Sequence, residues 1–188
     1  MWRLLLIFSV IPIAAAMAAR WWFGMKVLLE KGGRPCRYDP TRWGGALDNA
    51  ASAPPGEESA FELGRRLRIQ ALDEWNQENP KAAKSRASTK RFGMAVPPIS
   101  GIVAVMAFFV AKIPVMGAIA AILAATAISA ALGILSLPAE LAAITRAARK
   151  LRESRSFSRA DDEEAVIRCA MAHAWKDTLP PILGLIQK

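Results

Sequence analysis

The sequence predicts an all-α integral membrane protein: an N-terminal transmembrane helix, a transmembrane helical hairpin and amphipathic cytoplasmic helices. Three observations carry that class. Hydrophobic residues make up 53% of the 188 and are gathered into a few runs, while the charged 22% lie between them. Leu4 to Ala19 carries no charge, and from Phe92 to Ala139 the only charge is Lys112. A spanning helix needs roughly 20 apolar residues, so the second region is long enough for two. Finally, the net charge is +9, with Lys and Arg crowded beside the apolar runs. That placement matches the cytoplasmic ends of membrane helices better than a nucleic-acid-binding stripe, and no nucleic-acid partner is expected.

Residues 1–25 are read as the N-terminal membrane anchor. Trp21, Trp22 and Phe23 follow the apolar run and suit an interfacial belt. A competing reading is a secretory signal, with Arg3 at its start and the small residues Ala16 to Ala18 at its end. The aromatic belt favours an uncleaved anchor.

Residues 26–91 are read as a basic cytoplasmic segment with an amphipathic helix. "RPCRYDPTRWGG", Arg34 to Gly45, has turn residues and no helical period, and "NAASAPPGEE", Asn49 to Glu58, has a linker's composition. From Glu57 to Asn79 the pattern is amphipathic: Ala60, Leu63, Leu67, Ala71 and Trp75 form one apolar stripe. Glu57 and Glu58 suit that helix's N-terminus, and Pro80 closes it. Lys81, Lys84, Arg86, Lys90 and Arg91 follow with no acid among them, a solvated, lipid-facing basic stretch.

Residues 92–139 are read as the transmembrane hairpin. "AKIPVMG", Ala111 to Gly117, divides it into arms of about Pro98 to Ala111 and Val115 to Leu137, the first able to reach back to Phe92. On the second arm Gly117, Ala121, Ala125, Ser129 and Gly133 recur every fourth residue. Residues i and i+4 share a helix face, and small ones let another helix approach closely. The other arm, the N-terminal helix or a second copy could fill that role.

Residues 140–188 are read as C-terminal cytoplasmic helices. Ser136 is placed to cap a helix through Leu151, with Pro138 in its first turn and Glu140 as a first-turn acid. A second helix should begin near Asp161, with Ser158 as its cap. Asp161, Asp162, Glu163 and Glu164 then make a solvated helix start, because consecutive residues point around a helix. In the tail, "TLPPILGLIQK" is broken by Pro180-Pro181; Arg168, Lys176 and Asp177 argue against a fourth span and leave an interfacial segment.

Basic clusters flank three membrane ends, against only Arg3 and Lys112 opposite. The positive-inside rule therefore puts the N-terminus outside the cell (inner) membrane and the polar segments in the cytoplasm. Cys36 and Cys169 would face a reducing compartment, where a disulfide is not expected.

Catalytic motifs are absent. The chain has one histidine, His173, and no HExxH, CxxC pair, GxSxG or phosphate-binding glycine loop. Cys169 and His173 stand at i, i+4, a spacing two metal ligands can use, and Cys36 with a carboxylate would complete a tetrahedral set on paper. A lone histidine between Ala172 and Ala174 reads first as a packing residue.

The order of elements resembles the membrane-embedded neutral zinc metallopeptidases. A membrane helix precedes "YDP" (Tyr38 to Pro40), an amphipathic helix, a basic stretch, a membrane hairpin, "LPAEL" and an Ala-rich final helix. The resemblance is specific around "SLPAELAAITRAARKLRE", Ser136 to Glu153. Members carry HExxH on the helix before the hairpin and an LPxEF-type segment after it. The resemblance implies that Glu140 stands where the third zinc ligand would be. Aligned on Leu63-Gly64, it puts Arg68, Ile69 and Leu72 where His, Glu and His should stand, and Ala142 at a neighbouring acid's position. Arginine stays protonated and cannot ligate, so the resemblance implies an inactive relative.

The expected function is therefore a non-catalytic membrane protein, an assembly, scaffolding or partner-binding factor with no cofactor. Its expected partners are membrane lipids and a membrane protein or second copy on the small-residue face. The alternative is a membrane-bound hydrolase with a rearranged metal site drawn from Glu140, Cys169 and His173.

Overall fold

A computed structural model describes residues 2–39, 42–43, 57–110 and 114–177. The chain runs α1 (Trp2–Ala19), a π-helical turn (Arg20–Met25), α2 (Lys26–Lys31), β1 (Pro35–Arg37) and β2 (Glu57–Ser59), then α3 (Ala60–Glu78), α4 (Pro80–Val110), α5 (Val115–Ser154) and α6 (Ala160–Lys176). It is mostly helical, and three helical stretches are long and apolar enough to cross a membrane: Leu6–Lys31, Pro80–Val110 and Val115–Ser154. Residues 49–56 of the expected linker, the turn at 111–113 and the tail from 178 lie outside the described residues.

Both hairpin helices are longer than the expected arms. Helix α4 begins at Pro80, whose missing amide costs nothing in a first turn, and it continues through Pro97 and Pro98. The basic stretch is thus part of α4; Lys81, Lys84 and Arg91 are exposed there, and Arg86 and Lys90 half-buried. Helix α5 runs unbroken through Pro138, which corrects the expected helix start at Ser136. The Ser136 hydroxyl donates to the carbonyl of Gly133 at 2.8 Å and caps nothing. Glu140 is consequently a mid-helix residue and not a first-turn acid.

The described chain divides into two compact units, one of Met1–Arg20, Lys84–Leu137 and Asp177–Lys188, the other of Trp21–Ala83 and Pro138–Lys176. In the first, Ile13 and Ala16 of α1 pack with Ala127 and Ala130 of α5, flanked by Met17 and Leu123. Positions 123, 127 and 130 share a helix face. Of the small-residue ribbon, Gly117 and Ser129 are buried, Ala125 and Gly133 half-buried, and Ala121 exposed. Ser129 has a specific task. Pro97 lacks the amide that would bond the Gly93 carbonyl in a regular helix, and the Ser129 hydroxyl donates to that carbonyl from α5. A Cβ at Gly93 would stand 3.7 Å from Ser129, an ordinary contact distance, so the bond itself and not the absent side chain marks this crossing.

The second unit has a conventional interior. The stripe Ala60, Leu63, Leu67, Ala71 and Trp75 of α3 is buried, as the periodicity predicts. Gly64 lies within it, and a Cβ there would sit 2.7 Å from Cys169 Cβ and 2.8 Å from the Ala170 amide nitrogen. Only glycine lets α3 and α6 meet this closely. Helix α3 starts later than expected: Glu57 and Glu58 belong to β2, which pairs antiparallel with β1 through Pro35↔Ser59, Cys36↔Glu58 and Arg37↔Glu57. This pairing of two three-residue strands is a local addition to an otherwise helical chain. Ser59 is the cap, its hydroxyl accepting from the Glu62 amide at 3.3 Å; Ser59 and Glu62 have the Ser-x-x-Glu spacing of a capping box. The amides of Ala60 and Phe61 donate to the carbonyls of Arg34 and Gly32, at 2.9 and 3.0 Å.

Candidate functional site

In the second unit α3 meets the final turns of α5 around a buried ion pair. On α5, Glu140, Ala143, Ile144, Ala147 and Leu151 are all buried and repeat at helical spacing on one face. Glu140 is therefore the polar end of an apolar stripe. Arg68 of α3 donates from Nε to Glu140 Oε1 at 2.5 Å, with side chains only 11% and 4% exposed. A carboxylate buried that deeply is tolerable only with a counter-charge and hydrogen bonds. The Arg68 guanidinium supplies both.

Weaker links flank the pair. Lys150 Nζ lies 2.7 Å from Glu74 Oε2, and Arg146 lies 3.4 Å from Glu78. Trp43 donates from Nε1 to Gln70 Oε1 at 3.0 Å, and its ring packs edge-on against Tyr38 and Phe157. A cavity of about 270 Å³ lies among Trp43, Leu67, Gln70, Glu74, Lys150 and Ser154. Its charged walls are already engaged, Lys150 with Glu74 and Arg42 with Asp39.

The remaining metal candidates are committed to packing. His173, on α6, is buried; its Nε2 stands 3.1 Å from the Phe61 carbonyl and its ring meets the Phe61 ring edge-on at 4.5 Å. A carbonyl only accepts, so this geometry assigns the proton to Nε2. Cys36 and Cys169 are both free and buried. The Cys36 sulfur lies 3.6 Å from the Arg34 carbonyl and 3.8 Å from that of Asp162. Burial, and the neighbouring Asp162 carboxylate, push the Cys36 thiol up to about 11. Burial, and then Cys36 itself, does the same to Cys169, also to about 11. Both thiols are protonated at neutral pH, and a thiol is a poor metal ligand until deprotonated. Among the described residues, no group of three or more His, Cys, Asp or Glu side chains could hold a metal ion.

The expected solvated acid run at the start of α6 is correct only in part. Asp161 is 80% exposed, but Asp162 is buried and paired with Arg34 at 2.9 Å. Ile69 is exposed and Leu72 half-buried, and neither side chain carries an atom that could act as a general base or a metal ligand. Arg68 is the residue that composition and spacing concealed. An arginine on an amphipathic helix looks solvated, and only its pairing with an acid 72 positions away reveals otherwise. No family model, curated protein or solved structure matches the chain.

Proposed function

We propose that this chain is a non-catalytic integral membrane protein that acts as an assembly, scaffolding or partner-binding factor, built on the plan of a zinc metallopeptidase that has lost its metal. It sits in the inner membrane with its N-terminus outside and the second unit in the cytoplasm. The observation that carries the reading is the Arg68–Glu140 pair. The resemblance aligns those two positions with the first and third zinc ligands, which in a metallopeptidase must lie within a few ångströms of each other around the ion. Here the two side chains touch, and one is a permanent cation. Zinc does not suit this donor set, because the Glu140 oxygen faces a guanidinium and Ile69 and Leu72 offer no base or ligand. The guanidinium does for Glu140 electrostatically what a dication would have done. A site of this composition supports recognition and assembly, and it lacks the water-activating parts of hydrolysis.

Metal analysis of detergent-purified protein tests the reading, together with Glu140→Gln and His173→Ala. The expected result is no stoichiometric zinc in any of the three. Stoichiometric zinc that disappears in both variants, with proteolysis lost alongside it, would overturn it.

A further inference from the structure

We propose that a groove in the second unit binds one anionic phospholipid from the surrounding bilayer, with the headgroup phosphate on Lys176 and the adjoining acyl segment on Met25, Leu28, Leu29 and Phe61. The groove is an open depression of about 430 Å³ and its lining is mostly apolar. Three of its wall residues belong to the candidate span Leu6–Lys31. Some 20 residues cross the hydrocarbon core; counted from Leu6 they end at Met25, where the groove begins. The exposed Trp21, Trp22 and Phe23 immediately before it have the character of an interfacial belt. Lys26 Nζ lies 4.2 Å from the centre of the Trp22 ring, as a cation at that depth would.

The lining has the matching polarity. Leu29 is 71% exposed beside the buried Leu28, a cost in water and none against an acyl chain. Lys176 is half-buried, its ammonium 5.8 Å from the Phe61 ring centre, and it makes no ion pair among the described residues. A half-buried ammonium with no carboxylate partner among the described residues, at the rim of an apolar groove, is suited to a phosphate whose ester chains continue inward. The floor is open at Gly33, where a Cβ would meet no atom within 4 Å. The inference rests on the chain crossing a membrane, and not on the state of Arg68 and Glu140.

The test uses the full chain, extracted in detergent, delipidated, and offered phosphatidylglycerol or phosphatidylcholine, with bound lipid counted by native mass spectrometry. The expected result is one retained phosphatidylglycerol in preference to phosphatidylcholine, undisturbed by millimolar inorganic phosphate. Lys176→Gln should weaken retention about fivefold, the share of one basic residue at an anionic headgroup. Arg149→Gln, the same charge change at an exposed position of α5 outside the groove, should leave it unaltered. Gly33→Phe should abolish retention by filling the groove, and Leu29→Gln, at an already exposed position, should weaken it with the helical content unchanged. Equal retention of the two lipids, displacement by inorganic phosphate, indifference to both Gly33→Phe and Leu29→Gln, or a co-purifying protein lost in the same variants would each overturn the proposal. A chain that stays soluble without detergent would instead sink the membrane reading on which it stands, while zinc recovered in the metal analysis would leave it intact.

Discussion

The two units use the same residue types in opposite places. In the unit holding residues 84–137, Phe8, Ile102, Phe109, Val110 and Leu135 are exposed, and the buried seam is made of Ala16, Ala120, Ala127, Ala130 and Ser129. In the other unit Leu63, Leu67, Ile144 and Val166 are buried, and charged residues pair around them. On the proposed membrane reading, the difference follows from solvent. Large apolar side chains gain nothing by leaving lipid, so helices there associate through small residues and hydrogen bonds. In water, burying those side chains is the main driving force. Each unit should therefore fail in its own way.

The largest effect is expected where the unit with the conventional apolar core breaks its own rule. Arg68→Met strands the Glu140 carboxylate in an apolar stripe and should destabilise by about 3–5 kcal/mol. Glu140→Leu in that background removes the stranded charge, and the double variant should recover most of the loss. Denaturant unfolding of the four proteins of the cycle measures this. If the single and double variants lose equally, the pair does not balance its own burial.

The thiols give the next effect, and its sign is fixed by burial. Both Cys36 and Cys169 are raised from 9.0 to about 11 in the fold. Below pH 9 both states keep the protons and nothing changes. Between pH 9 and about 11 the unfolded chain loses protons that the folded chain keeps, so stability should fall as pH rises, by up to roughly 1.4 kcal/mol per unit and thiol. Cys36→Ala should reduce the alkaline slope measured by thermal unfolding. A slope unaltered by that change would assign the loss to other groups.

The unit holding residues 84–137, proposed to face lipid, should respond to a single hydroxyl. Ser129→Ala removes the donor to the Gly93 carbonyl that Pro97 leaves unpaired. Interhelical bonds of this kind contribute about 0.6 kcal/mol on average in membranes, and the loss should sit near or somewhat above that, because the carbonyl stays buried. Restoring an amide with Pro97→Ala should make Ser129→Ala nearly silent. Equal losses in both backgrounds would show that the proline and the serine act independently.

Legibility in the sequence follows the same division. The α3 stripe was readable because burial in water imposes a 3.6-residue period, and all five of its positions are buried. The membrane helices were readable as runs, but their ends were not. Pro80 closes α3, whose last helical residue is Glu78, and opens α4 as well, whereas Pro97, Pro98 and Pro138, each expected near a helix start, lie inside α4 and α5. Inside apolar helices a hydroxyl can satisfy the carbonyl that proline frees, so the usual stop signal loses its force. Glu140 was explained wrongly for that reason: with Pro138 read as part of a helix start, the acid looked like a dipole partner, and it lies well inside α5. The Ser59-x-x-Glu62 box was a local signal that would have placed the start of α3. Arg68's pairing was not, because nothing local distinguishes it from Arg65 and Arg66, which pair with Glu62 and Glu58 in more exposed bridges.

The smallest effect concerns the chain reversal after α5, and it is stabilising. Arg155 follows the last helical residue with φ 48°, the left-handed position that commonly ends helices and favours glycine. Its amide donates to the Arg152 carbonyl at 3.2 Å, so the backbone conformation is part of the stop. The next residues hold the turn in place: Ser156 accepts from the Asp39 amide at 2.9 Å, and Phe157 bridges to Tyr38. The Arg155 side chain is exposed and makes no ion pair among the described residues, so removing it forfeits little. Arg155→Gly relieves a Cβ clash of about 1–2 kcal/mol and adds about 0.5–1 kcal/mol of unfolded-state entropy, for a net gain near 0.5 kcal/mol. Arg155→Val should move the other way, because a β-branched side chain tolerates this region least. Thermal unfolding of the two variants separates backbone from side chain: opposite shifts are expected, and shifts of one sign would mean that the arginine itself, and not its φ, governs the turn.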